Sequence, residues 1–162
     1  MRALESSAAT VMEGPVLAAR MAADGYLYLP GLLPPRVVAD VQGGGRHRAG
    51  RGLAPSRRAA ETYHGLKHHP ALLGFFERML GASVFPHPRV LMRNIFPAQP
   101  EYTTKAHQDY PNVQGTTEVY TAWIPLIDCP PERGGLQVAR GSHRLGVLDF
   151  GIGNGAGGIE NY

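Results

Sequence analysis

The sequence predicts a mainly β chain with flanking helices, an α+β architecture. Three observations carry this. Gly (21) and Pro (14) together make up about a fifth of the 162 residues, which favours turn-rich β structure over a helix bundle. Up to residue 82, apolar residues recur at helical steps. From residue 83 they gather instead into short runs bounded by Gly and Pro. The length suits one domain over residues 1–162, and a hydrophobic fraction of 43% allows a packed core. Within it, residues 1–82 read as mainly helical with a basic, Gly-rich loop at 43–58. Residues 83–150 read as strands, and 151–162 as a Gly-rich flexible tail.

Residues 15–23 form the first expected helix, with Pro15 at its start and Gly25 past its end. Residues 26–29 are a short apolar β run closed by Pro30. Residues 34–42 are a second helix, carrying Val37, Val38 and Val41 and stopped by the glycines at 43–45. The stretch to about residue 58 is loop-like, with Arg46, Arg48, Arg51, Arg57 and Arg58. It contains no aromatic residue, so it reads as a solvated loop rather than a nucleic-acid surface, although the net charge is +3. Residues 69–80 give the clearest helix. Pro70 lies near its start, Gly81 closes it, and Leu72, Leu73, Phe75, Phe76, Met79 and Leu80 make a buried stripe. His64, His68 and His69 precede it, but no Cys or carboxylate stands at ligand spacing, so they do not read as a metal site.

Residues 83–86 and 89–96 read as two strands split by His87 and Pro88. In the second, Val90, Met92 and Asn94 share one face, and Arg93 lies on the other. A loop leads to the segment KAHQDYPNVQGTTEVYTAWIPLI, residues 105–127. In an extended strand His107 and Asp109 share a face while Gln108 points away. An imidazole nitrogen and a carboxylate oxygen aimed at one point are two thirds of a 2-His-1-carboxylate facial triad. The strand at 119–127 carries the only tryptophan, Trp123, followed by a Pro-rich turn with Cys129, a short strand at 136–138 and the turn Gly141, Ser142, His143.

The order HQD, then WIPLIDC, then ERGGLQVARGSHR, together with DGYLYLPGLLPP at 24–35, resembles the phytanoyl-CoA dioxygenase family of Fe(II)/2-oxoglutarate oxygenases. The resemblance covers roughly residues 24–150, with a poor match at 43–63. It implies a double-stranded β-helix (a cupin-like jelly roll) with helices on one side, Fe(II) as cofactor and 2-oxoglutarate as cosubstrate. It implies His107 and Asp109 as metal ligands and as the catalytic centre. It also places Met92 and Trp123 near the cosubstrate, where a core role is the alternative for each. The family's third ligand is a histidine well downstream, followed by an arginine for 2-oxoglutarate. After Asp109 this chain has only His143, in a turn that does not ligate iron in the family, and Arg133, Arg140 and Arg144. The jelly roll is therefore expected to be incomplete at its carboxyl end, and its open edges to favour a homodimer.

The expected reaction uses O2 and 2-oxoglutarate to hydroxylate a small molecule, of metabolite or acyl type, with release of succinate and CO2. The competing reading is a non-catalytic or truncated jelly-roll binding or assembly protein with an incomplete metal site. A cupin-like hydrolase or isomerase would want more clustered histidines, and H-x-H is absent. No apolar run approaches the roughly 18 residues a membrane helix needs, and residues 1–14 lack a secretory core. A single cysteine suits a reducing cytoplasm.

Overall fold

Helix α1, Gly14–Asp24, starts on Pro15 and stops at Gly25, whose φ of 77° is a left-handed conformation that suits a residue without Cβ. Its partner is α4, Pro70–Leu80. There His69 caps the start, its Nδ1 accepting from the Ala71 N–H at 3.2 Å, and Gly81 closes the end with φ 66°. In the computed structural model, which describes residues 13–44, 57–92, 104–152 and 159–161, the chain divides into two compact units, Met1–Val90 and Leu91–Tyr162.

The first unit is built on the α1–α4 pair. Leu17 (0% exposed) meets Phe75 (1%) and Met79 (4%), which sit one turn apart on α4 and so share a face. Ala18, Met21, Leu27, Leu29, Leu32 and Phe76 pack around this cluster. The helices approach so closely that a Cβ on Gly14 would fall on the Arg78 carbonyl. The second helix, α2 at Pro35–Gly44, packs on α3, Arg57–Gly65, and buries Val41. A 3-10 turn, Leu66–His68, joins α3 to the cap of α4 and buries Leu66. Helix α3 was not expected from the sequence. The arginines of the basic loop at 46, 48 and 51 lie outside the described residues. Among the described residues, no group of three His, Cys, Asp or Glu could hold a metal, the histidines before α4 included.

Tyr63 on α3 stands edge-on to His64, with ring centroids 5.5 Å apart. Its hydroxyl is buried and finds no hydrogen-bond partner among the described residues. Burial pushes the phenol above its ordinary value of 10.0. As pH rises, the unfolded chain therefore ionises first, and stability falls above that value. Tyr63→Phe is expected to raise stability by about 1 kcal/mol, because a buried hydroxyl without a partner carries its desolvation penalty. It should also flatten the alkaline decline. Urea unfolding at neutral and alkaline pH measures both, and a variant less stable than wild type would show that the hydroxyl is satisfied after all.

The second unit corrects the predicted fold. Among the described residues there is no jelly roll. Residues 83–92, 119–127 and 136–138, expected as strands, form no ladder, and residues 93–96 with Arg93 lie outside the described residues. Pro86, Pro88 and Pro125 remove ladder donors from two of these runs. Ile127, Leu136 and Leu91 are exposed, so no facing layer covers them. Among the described residues of the second unit, the regular structure is a single turn, α5 at Tyr110–Val113, two 3-10 turns at Pro131–Arg133 and Ser142–Leu145, and one short antiparallel pairing. In that pairing β1, Phe150–Ile152, runs antiparallel to β2, Ile159–Asn161, with Gly151 opposite Glu160. Among the described residues, helix therefore outweighs strand. No helix in it is long and apolar enough to cross a membrane.

Candidate functional site

His107 and Asp109 do meet, but through a turn and not along a strand. Asp109 has φ −74° and ψ −25°, a right-handed helical conformation, and it opens α5. Its carbonyl accepts from the Asn112 and Val113 N–H groups at 3.0 and 3.2 Å. Pro111, the buried residue of this turn, fits there because the first turn of a helix needs no N–H at that position. The turn brings Asp109 Oδ1 to 3.2 Å from His107 Nε2. The other ring nitrogen, Nδ1, lies 2.7 Å from the Lys105 carbonyl. A carbonyl can only accept, so Nδ1 carries the proton. That leaves Nε2 facing a carboxylate oxygen. Two lone pairs repel at this distance, so the geometry calls for a positive species between them, a proton or a metal cation.

Gln114 ends the turn with φ 59° and ψ −167°, a region that residues with a Cβ avoid. Gln114→Gly is expected to stabilise the chain by about 1 kcal/mol. Thermal unfolding reads this, and a lower melting temperature would show that the Gln114 side chain contributes more than its backbone strain removes.

Beside the pair lies a depression of about 510 Å³, lined by Gln108, Asp109, Tyr110, Thr117, Val119, Thr121, His143, Gly146 and Val147. Three stretches of the chain supply this lining: Gln108 to Tyr110, Thr117 to Thr121 at alternate positions, and His143 with Gly146 and Val147. His143 stands on the turn Ser142–Leu145, between Gly141 at φ 80° and Gly146 at φ 75°. Of the expected site residues, Asp109 alone is in this lining; His107 adjoins it through its contact with Asp109. Met92 is 52% exposed and Trp123 41% exposed, and neither lines the depression. Sequence reasoning did not pick out Gln108, Tyr110, Thr117 or Thr121. Gln108 finds its partners, Gly146 and Leu148, 38 and 40 positions downstream, and no local pattern marks the other three.

A sequence model of one family, described as Phytanoyl-CoA dioxygenase (PhyH), matches residues 21–152. The chain belongs to the phytanoyl-CoA dioxygenase family. Two curated relatives of this dioxygenase-family chain are 1-deoxypentalenic acid 11-beta-hydroxylases. The protein from Streptomyces exfoliatus is 36% identical over 89 residues, and that from Streptomyces arenae 34% identical over 89 residues. Each match covers 52% of this chain and 31% of the relative, so the phytanoyl-CoA dioxygenase-family chain matches under a third of their length. No solved structure matches.

Proposed function

We propose that His107 and Asp109 are two of the ligands of an Fe(II) site, in an oxygenase that uses 2-oxoglutarate and O2 to hydroxylate a small, largely apolar molecule. The observation that carries this is the pair's geometry. At metal–ligand bonds of about 2.1 Å, two cis donors of an octahedral ion lie about 3.0 Å apart. The 3.2 Å between His107 Nε2 and Asp109 Oδ1 fits that spacing. The Lys105 carbonyl on Nδ1 is the outer partner that orients a metal-binding imidazole and leaves Nε2 free to ligate. When bound, iron with 2-oxoglutarate would support insertion of one O2 oxygen into a substrate C–H bond, the other leaving in succinate as CO2 is lost. The chain's own residues hold and orient. Val119, Val147 and Tyr110 offer apolar surface beside the pair, and the Thr117 and Thr121 side chains border it. The relatives named as hydroxylases support this reaction class. Cys129, half-buried and free, is compatible with a reducing cytoplasm.

Anaerobic titration with Fe(II), then 2-oxoglutarate, tests the reading. A visible charge-transfer band, produced when a 2-oxo acid chelates iron, is the expected result. A second reading rests on one observation: no third protein donor joins the pair among the described residues. On it the pair binds a cation without turnover. Metal uptake with no band on adding 2-oxoglutarate would favour that second reading, and no uptake by the folded chain would sink both.

A further inference from the structure

We propose that Gln108 is a positioning residue: its side-chain amide locks the His107–Asp109 turn to the segment that carries His143. The amide is used at both ends. Nε2 donates to the Gly146 carbonyl at 2.8 Å, and Oε1 accepts the Leu148 N–H at 2.9 Å. These partners lie 38 and 40 positions downstream. Val147, between these partners, is a bend, and the Gly146 carbonyl and the Leu148 N–H on either side of it both face the Gln108 amide. A primary amide offers N–H donors and a carbonyl acceptor side by side, so one side chain can close a ring with both backbone groups. Among the described residues no ladder joins these two segments, and the Gln108 side chain links them instead.

Both ends of this lock bear on the site. Gln108 sits between the two candidate ligands, so fixing its side chain fixes the peptide units that carry both. At the far end, Gly146 has φ 75° and ψ −157°, a conformation open mainly to glycine, and its N–H accepts no freedom either, donating to the His143 carbonyl at 3.2 Å. The lock therefore ties the His143 turn to the ligand turn, and Gln108, Asp109, His143, Gly146 and Val147 line one depression. Swinging the segment away would open that depression and release the ligand turn together. The hydrogen bonds stand on the geometry alone. Their effect on metal binding rests on the function proposed above.

The full chain tests this in two independent ways, with Gln108→Leu, which keeps bulk and removes both hydrogen bonds, and Gln137→Leu as the exposed control. Amide hydrogen exchange at Leu148, without metal, is expected to rise roughly tenfold in Gln108→Leu and to stay unchanged in the control. Co(II) affinity is expected to fall by about tenfold or more, with a shifted ligand-field spectrum, because outer partners of metal ligands carry effects of that size. If Gln108→Leu does not fold, Gln108→Glu replaces it. It keeps the acceptor and loses the donor to Gly146, and is expected to weaken Co(II) binding in the same direction. Unchanged Leu148 exchange overturns the lock. Faster exchange with wild-type Co(II) affinity and spectrum overturns the positioning role. A wild-type chain that takes up no Co(II) refutes the metal reading, while the exchange result still decides whether the lock exists.

Discussion

Asp109→Ala is expected to weaken Fe(II) binding by roughly 100-fold or more, since losing a ligand should exceed the 10- to 100-fold typical of losing a ligand's outer partner. His107→Ala should do the same. Two cis donors act as one chelate, so either loss leaves a single weak ligand, and the double variant should be little worse than either single one. The fold should survive all three changes. The pair is partly exposed, 3.2 Å apart, and an ion pair in that setting contributes about 1 kcal/mol or less to stability. Metal affinity and metal-free unfolding, measured side by side, separate the two roles. Wild-type affinity in both single variants would remove the site from these residues. Lost affinity accompanied by loss of fold would instead mark the pair as structural. Asp109→Asn refines the result: it keeps the shape of the side chain and removes its charge, so it should bind Fe(II) more weakly than wild type by a similar factor.

Phe75→Ala is expected to destabilise the first unit by about 3–5 kcal/mol, the usual range for deleting a fully enclosed phenylalanine. Among the described residues Phe75 is the largest side chain shut from solvent, and it belongs to the cluster from which α1 and α4 gain their contact. Small domains hold only about 5–15 kcal/mol in total. The variant should therefore lose much of its helical circular dichroism at temperatures where wild type keeps it. Phe85, at 85% exposure, is the matched control, and Phe85→Ala should change stability by no more than about 0.5 kcal/mol. Equal effects at the two positions would mean that the α1–α4 contact is not what holds this unit.

How far the chain was legible depended on the range of the interactions involved. Helix α4 was readable because its information is local. Pro70, the stripe Leu72, Phe75 and Met79, and Gly81 all lie within one helix length. Helix α3 escaped because Arg57–Gly65 is polar and short, with no apolar period to mark it, and its packing on α2 is a tertiary contact. The runs at 119–127 and 136–138 have the apolar composition of short strands, yet a strand exists only with a hydrogen-bonding neighbour, which no local pattern supplies. Their pairing was therefore overestimated.

At the site the division is finer. By itself, the sequence determined that His107 and Asp109 stand one residue apart, that Pro111 follows them, and which family the HQD, WIPLIDC and GSHR segments resemble. Only the tertiary structure decided how the two side chains meet. A turn opened by Asp109 brings them to 3.2 Å, the Lys105 carbonyl selects which imidazole nitrogen faces the carboxylate, and Gln108 reaches 38 residues ahead to Gly146. Spacing along a chain sets which residues can meet. The backbone angles at each of them, and hydrogen bonds to distant partners, set whether and how they do.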